Sequence, residues 1–425
     1  MIIFTESFVV YFNLIFFLLS FYFFYKKLGD TLFVSPLIIF FSFHFIAFIL
    51  KPLLILNFSF SNVYNYIGFQ KEEYNFTKTI FISLVGFISF LIGFSIYIKN
   101  KNLQKNVLFN LKFKKYESDI FDRKIFILLS VFMIPIGILS LNELHQMHTR
   151  MNIENIYGIR VFVNTTGYYI YANIAMGSVF LLFAFLRNFS FFSCIPLLVY
   201  VYFRFDFGWN RSSFLMILFA LGMLYFFYNA NKKKKIFIFF IFILLVFQFT
   251  GRSRGGLSFY QFDSLDLSNF ESLSFIIKNI PYNTGSLTYF TQYLQLFTEP
   301  IPRIFWENKP IGAPIKYFNL LDYGNVTGLT NSLIGDGWMS FKYIGVILML
   351  FFTGYICGKI HMNLLKNVSN NVYLFLYSVN VPLLIFWFRD GGILILKIFL
   401  FHSVPIMIWY YLTSKAKKTR NFIKN

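Results

Sequence analysis

Apolar runs of about 20 residues, the length a helix needs to cross the hydrocarbon core of a bilayer, set the rhythm of this chain. They fall at 7–25, 31–50, 79–98, 125–141, 168–186, 190–205, 212–229, 236–250, 339–358, 372–388 and 393–413. Only helices and closed barrels satisfy their own backbone polar groups in lipid, and runs of this length fit helices. The pattern therefore predicts an all-α, polytopic integral membrane protein of about eleven spans, with the whole of 1–425 forming one transmembrane domain. One interval breaks the rhythm. Residues 251–338 make a long polar excursion between the eighth and ninth runs, rich in arginine, glycine and proline.

Composition agrees. The 425 residues are 57% hydrophobic and 13% charged. That is too little charge for a soluble domain of this size. The 64 Phe and 28 Tyr, with abundant Ile, Lys and Asn, match AT-rich codons and point to a bacterial source. A net charge of +20 raises the question of nucleic acid, but the placement of the charges answers it. Lys26 and Lys27 follow the first run, eight basic residues crowd 99–124, Arg187 follows the fifth, four lysines at 232–235 follow the seventh, and Lys359 and Lys366 the ninth. Lys415, Lys417, Lys418, Arg420 and Lys424 fill the tail. With eleven spans all of these fall on one side, which is the cytoplasmic one, since Lys and Arg accumulate there. The N-terminus and the loops 51–78, 142–167 and 251–338 are then extracytoplasmic, and no nucleic-acid partner is expected. Cys194 and Cys357 lie in or beside apolar runs without a paired spacing, so no disulfide is expected. The first run is preceded by Glu6 and no basic stretch, and reads as a retained span, not a cleaved leader.

The shorter outer loops carry modest signals. Asn57-Phe58-Ser59 and Asn75-Phe76-Thr77 match glycosylation sequons by chance in an Asn-rich chain. His145 and His148 have helical spacing but lack a third ligand, so no metal site is expected. Arg160, in Tyr157-Gly158-Ile159-Arg160, stands just outside the fifth run, as an interfacial anchor or a ligand group. Arg204, Asp206 and Arg211 suit a self-satisfied outer turn. Within apolar runs, His44 and His402 read as hydrogen-bonded core residues, and Lys397 as a partner for Asp390, seven residues before it.

The long loop holds the candidate chemistry. Gly251-Arg252-Ser253-Arg254-Gly255-Gly256 sets two planar, permanently charged guanidinium forks among glycines that admit close backbone approach. That arrangement fits a pyrophosphate, and equally an interfacial anchor. Residues 263–280 alternate Phe270, Leu273, Ile276, Ile277 and Ile280 with Asn269, Glu271, Ser272, Ser274 and Lys278, which predicts an amphipathic helix. It either lies on the membrane surface, packs over the spans, or faces a core of the loop. Pro300 and Pro302 break any helix through Glu299. Arg303 and Lys309 then flank Phe305 and Trp306, aromatic rings on which a sugar can stack and which also suit a membrane interface. Asp336, between Gly335 and Gly337, is a general base for an acceptor hydroxyl or a helix N-cap.

There is no phosphate-binding P-loop, HExxH, GxSxG or Rossmann glycine pattern. Chemistry outside the membrane then needs an energy source within its substrate. Arg160 before a Tyr-rich run, the glycine–arginine segment 251–256, Pro302-Arg303-Ile304-Phe305-Trp306-Glu307-Asn308-Lys309-Pro310, and Ser332-Leu333-Ile334-Gly335-Asp336-Gly337 before 341–346 together resemble the Wzy-type oligosaccharide repeat unit polymerases of O-antigen and capsule. The likeness covers roughly 150–360, and the chain before that only by hydropathy. Asp336 stands where that pattern more often has Glu. The resemblance implies a metal- and cofactor-independent glycosyltransferase of the bacterial inner membrane, acting on undecaprenyl-pyrophosphate-linked oligosaccharides, with a chain-length regulator as a further partner. The residues supply a compatible mechanism, in which Arg160, Arg252, Arg254, Arg303 and Lys309 hold the pyrophosphate, Phe305 and Trp306 stack on sugar, and Asp336 or, second, Glu299 takes the acceptor proton. An O-antigen ligase is the nearest alternative. A lipid-linked oligosaccharide flippase is the remoter one, since it would place its charges within the spans.

Overall fold

The computed structural model describes residues 6–58, 75–98, 124–125, 127–133, 153–156, 159–162, 167–208, 211–228, 269–283, 287–298, 305–306, 331–367, 370–392 and 394–424. The architecture is helical. Six helices among the described residues are long and apolar enough to cross a membrane: Glu6–Val34, Pro36–Asn57, Phe76–Ser95, Ser332–Lys366, Asn371–Asp390 and Ile395–Thr413. These match the first three and last three runs. Of the other expected runs, three form the helices Gly167–Leu186, Phe191–Gly208 and Arg211–Tyr228, and 127–133 is helical within a fourth. The run 236–250 lies outside the described residues, as do His145 and His148. The strands among the described residues are a short antiparallel hairpin, Ile153–Ile156 with Ile159–Phe162.

We number the helices in chain order: α1 Glu6–Leu28, α2 Pro36–Phe45, α3 Lys51–Phe58, α4 Phe76–Ser95, α5 Gly167–Leu186, α6 Phe191–Gly208, α7 Arg211–Tyr228, α8 Asn269–Asn283, α9 Ser332–Lys366, α10 Asn371–Asn380, α11 Leu384–Asp390 and α12 Leu394–Lys424. The most extensive pairing among the described residues is α4 with α9. It is close because glycine lines the crossing. A Cβ at Gly354 would run into the Phe90 carbonyl, and one at Gly358 would stand 2.8 Å from the Phe94 carbonyl. Small residues that let backbones approach are how membrane helices gain packing without a hydrophobic drive between them. Aromatic rings fill the space beside that seam. Phe40 stacks on Phe90 with centroids 3.8 Å apart and meets Phe388 edge-on at 5.0 Å.

The second span changes its helical winding for a local reason. Pro52 has no N–H to give the Phe48 carbonyl four residues back. The chain widens into a π turn over Ile46–Leu50, closed by the Lys51 N–H on the Ile46 carbonyl. The Phe48 carbonyl accepts from the buried Asn13 side chain of α1 at 3.1 Å instead. The same Asn13 lies 3.4 Å from His44 Nε2, so His44 is a hydrogen-bonded core residue as expected.

The long-range contacts sort by end. At one end of the bundle Lys51 meets Glu271, Asn269 meets Arg389, and Asp336 meets Gly392. At the other, the Tyr377 hydroxyl donates to the Val34 carbonyl and lies 3.3 Å from His361 Nδ1.

Candidate functional site

The site grows from a break in α9. Residues 332–340 are helical, Phe341 and Lys342 are not (φ −149°, ψ 28° and φ 52°, ψ −129°), and the long apolar helix follows. The break folds the short segment back on the long one, so that a Cβ at Gly337 would sit 2.8 Å from Val346 Cα. Glycine beside Asp336 is therefore explained by backbone packing.

Asp336 itself is fully buried. It is not the N-cap that its position allowed, since it is the fifth residue of the helix. Asn331 occupies the N-cap position and sends its side-chain amide to Asp336 Oδ1 in place of the backbone. Ser332 Oγ accepts the Gly335 N–H at 3.1 Å and does the capping. The other carboxylate oxygen accepts from two distant segments. One donor is the Gly392 N–H, in the turn after α11. That turn needs positive φ at Gly391 and Gly392, 63° and 69°, which glycine adopts without strain. A Cβ on Gly391 would also lie 2.8 Å from Asp336 Oδ2. The other donor is the Tyr293 hydroxyl, 3.1 Å away. Burial first, then the Asp336 carboxylate, pushes that phenol well above its ordinary value, so it stays protonated and donates.

Tyr293 belongs to a strap, residues 287–298, laid across the short segment of α9. The Thr288 N–H donates to the Met339 carbonyl at 3.1 Å. The hydroxyls of Thr288 and Ser340 are 3.1 Å apart, and Gln292 Nε2 donates to Ser340 Oγ at 3.0 Å. Ser340 in turn donates to the Asp336 carbonyl at 2.8 Å.

Beside this lies α8. Amphipathicity predicted a polar face for it. The helix forms, as Asn269–Asn283, yet Asn269, Glu271, Ser272 and Ser274 are as buried as Phe270 and Ile276. It packs against α9, α4 and the π turn. These contacts fit the expectation that it packs over the spans. Two of its buried polar residues meet polar partners: Glu271 Oε1 is 3.3 Å from Lys51 Nζ, and Asn269 Nδ2 donates to the Arg389 carbonyl at 2.7 Å. Arg389 holds Asp390 in a two-pronged pair at 2.7 and 2.8 Å. Lys78 Nζ lies 5.4 Å from the centre of the Trp338 ring, within reach of its π face.

Of the residues singled out from the sequence, Asp336 is at the centre of this network. Arg160 lies on the second hairpin strand, paired with Asn155. Phe305 and Trp306 are exposed. Glu299, Arg252, Arg254, Arg303 and Lys309 lie outside the described residues. Sequence reasoning missed Tyr293, Asn331, Gly392, Lys51 and Glu271. Only Lys51-Pro52, a charge and a helix breaker closing an apolar run, carried a local signal.

The chemistry within reach is that of a proton acceptor. Among the described residues, three donors restrain a desolvated carboxylate, at an end of the bundle that also gathers Lys51, Lys78 and Arg389. Fold and site together define a helical protein built to cross a membrane several times. No protein-family model, no curated protein and no solved structure matches the chain.

Proposed function

We propose that this protein is a membrane glycosyltransferase that polymerises undecaprenyl-pyrophosphate-linked oligosaccharide repeat units at the outer face of the bacterial cytoplasmic membrane. The proposal includes eleven spans and an extracytoplasmic 251–338 segment. The observation that carries it is the buried Asp336 carboxylate, held beside α8 and the strap, both drawn from that same segment. A carboxylate there takes the proton of an acceptor hydroxyl as the hydroxyl attacks the anomeric carbon. The departing lipid pyrophosphate is stabilised by Arg160, Arg252, Arg254, Arg303 and Lys309, and removing one such donor costs on the order of 3 kcal/mol in the barrier. Phe305 and Trp306 offer rings to the sugar.

Deleting the gene and resolving surface glycolipids by gel tests this reading. Lipid bearing a single repeat unit is the expected product. Bare lipid A core would instead identify a ligase, and no exported repeat a flippase. Arg254→Ala and Arg303→Ala should leave the protein in the membrane and abolish long chains. Normal chain lengths in both would remove the arginine mechanism.

A further inference from the structure

Asp336 is fully buried. A carboxylate offers about four acceptor positions, and described residues take three of them. No acceptor hydroxyl reaches it in this arrangement. The fourth position is enclosed with the rest, so something that covers the carboxylate must move, and its three donors are not equally free to do so. Gly392 is fixed by a turn packed against Ser332 and Asp336 themselves. Asn331 is five residues from Asp336 on the same chain segment. Of the three, Tyr293 alone belongs to a segment that lies over the carboxylate, bound to the short part of α9 by the hydrogen bonds of Thr288, Gln292 and Tyr293.

That segment is also where the backbone is strained. Six non-glycine residues among those described have positive φ, and four surround Asp336: Tyr289 (49°), Phe290 (59°), Ser332 (56°) and Lys342 (52°). Two adjacent aromatic residues in the left-handed region are an outlier of the kind found at switch regions. Their rings hold the ends of the device together. Tyr289 meets Phe341 edge-on at 5.1 Å, and Phe290 lies 5.5 Å from the same ring, directly at the break in α9. The opposite face of the strap presents Tyr289, Leu294 and Phe297 outward, the last 81% exposed.

We propose that the strap 287–298 is a lid, closed over Asp336 in this structure, and that the carboxylate meets an acceptor only when Tyr293 swings away from it. The proposal rests on the reading of Asp336 as the proton acceptor. Closure keeps the carboxylate from water between turnovers, and the strain at Tyr289 and Phe290 is relieved on opening.

The test joins lid to floor. Thr288→Cys with Ser340→Cys places two thiols where hydroxyls now stand 3.1 Å apart. Long glycan chains should be lost on oxidation and return with reductant. Equal chain lengths in the two states overturn the lid and leave the polymerase reading intact. If wild type itself makes no long chains, the polymerase reading fails, and the lid is judged without activity. For this, Ser340→Cys is labelled from outside with a membrane-impermeant maleimide, using the buried native Cys357 as reference. A lid that opens labels position 340 severalfold faster than Cys357. Equal rates make the strap a fixed part of the fold and overturn the proposal.

Discussion

Helices α1 and α8 have exchanged the roles that a water-soluble fold would give them. α1 is almost wholly apolar, and most of it faces outward, Leu19 at 63% and Tyr22 at 65% exposed. Its buried positions include a polar one, Asn13, which serves the π turn. α8 carries Asn269, Glu271, Ser272 and Ser274 and is enclosed on both faces. Where lipid is the solvent, an apolar face gains little by turning inward, and a polar face has nowhere else to find partners. Burial in such a molecule is governed by hydrogen bonds and charge, and the enclosed polar helix marks the region where function is expected.

The largest effect that would break this contrast is at the Lys51–Glu271 pair. Both side chains are buried, and the charged atoms are 3.3 Å apart. Glu271→Ala removes the carboxylate that faces Lys51 and should cost about 3–5 kcal/mol, the range for breaking a buried ion pair from one side. The measurement is unfolding in detergent micelles. Lys51→Met combined with Glu271→Leu should recover most of the loss, because well-packed apolar groups replace such a pair at little cost. If the double variant is as unstable as the single one, packing and not charge holds α8 in place.

A smaller effect is expected on the outward face of α1. Leu19 stands near the middle of the helix and faces out. Leu19→Arg sets a charge against hydrocarbon and should cost about 2.5–3.5 kcal/mol of membrane insertion, read as the fraction of protein recovered in the membrane. Leu19→Ile should change nothing. Full insertion of the arginine variant would mean that this face is covered by protein or water, and the contrast with α8 would lose its basis.

The two helices also show what could be read in the chain beforehand. The runs 7–25, 79–98 and 372–388 closely anticipate Glu6–Leu28, Phe76–Ser95 and Asn371–Asp390, because length and apolarity decide whether a helix can cross lipid. The helix of α8 was legible from the spacing of Phe270, Leu273, Ile276, Ile277 and Ile280. The burial of its other face was not, since periodicity records that Glu271 and Ser272 share a side and not that Lys51 waits there. The breaks were hidden too. Pro52 signals a disturbance, but the π turn depends on Asn13 taking up the Phe48 carbonyl, and no spacing links those positions. Asp336 stood out by its flanking glycines. Its donors Tyr293 and Gly392 lie 43 and 56 residues away, on segments that only the folded chain brings near.

The smallest predicted effect separates two meanings of a polar interior. The hydroxyls of Ser272 and Ser274 are buried and have no hydrogen-bond partner among the described residues, although they share α8 with the paired Glu271. A hydroxyl enclosed without a partner is a burden to the fold, so Ser272→Ala should leave stability within about 0.5 kcal/mol or raise it slightly. If unfolding shows a loss beyond about 1 kcal/mol, the hydroxyl has a partner after all, such as an ordered water, and the polar face of α8 is polar for the sake of the fold. If stability holds while long-chain glycan falls, the hydroxyl is kept at a thermodynamic disadvantage for the reaction. That outcome is typical of sites where activity opposes stability, and it would extend the candidate site from Asp336 along α8 toward Lys51.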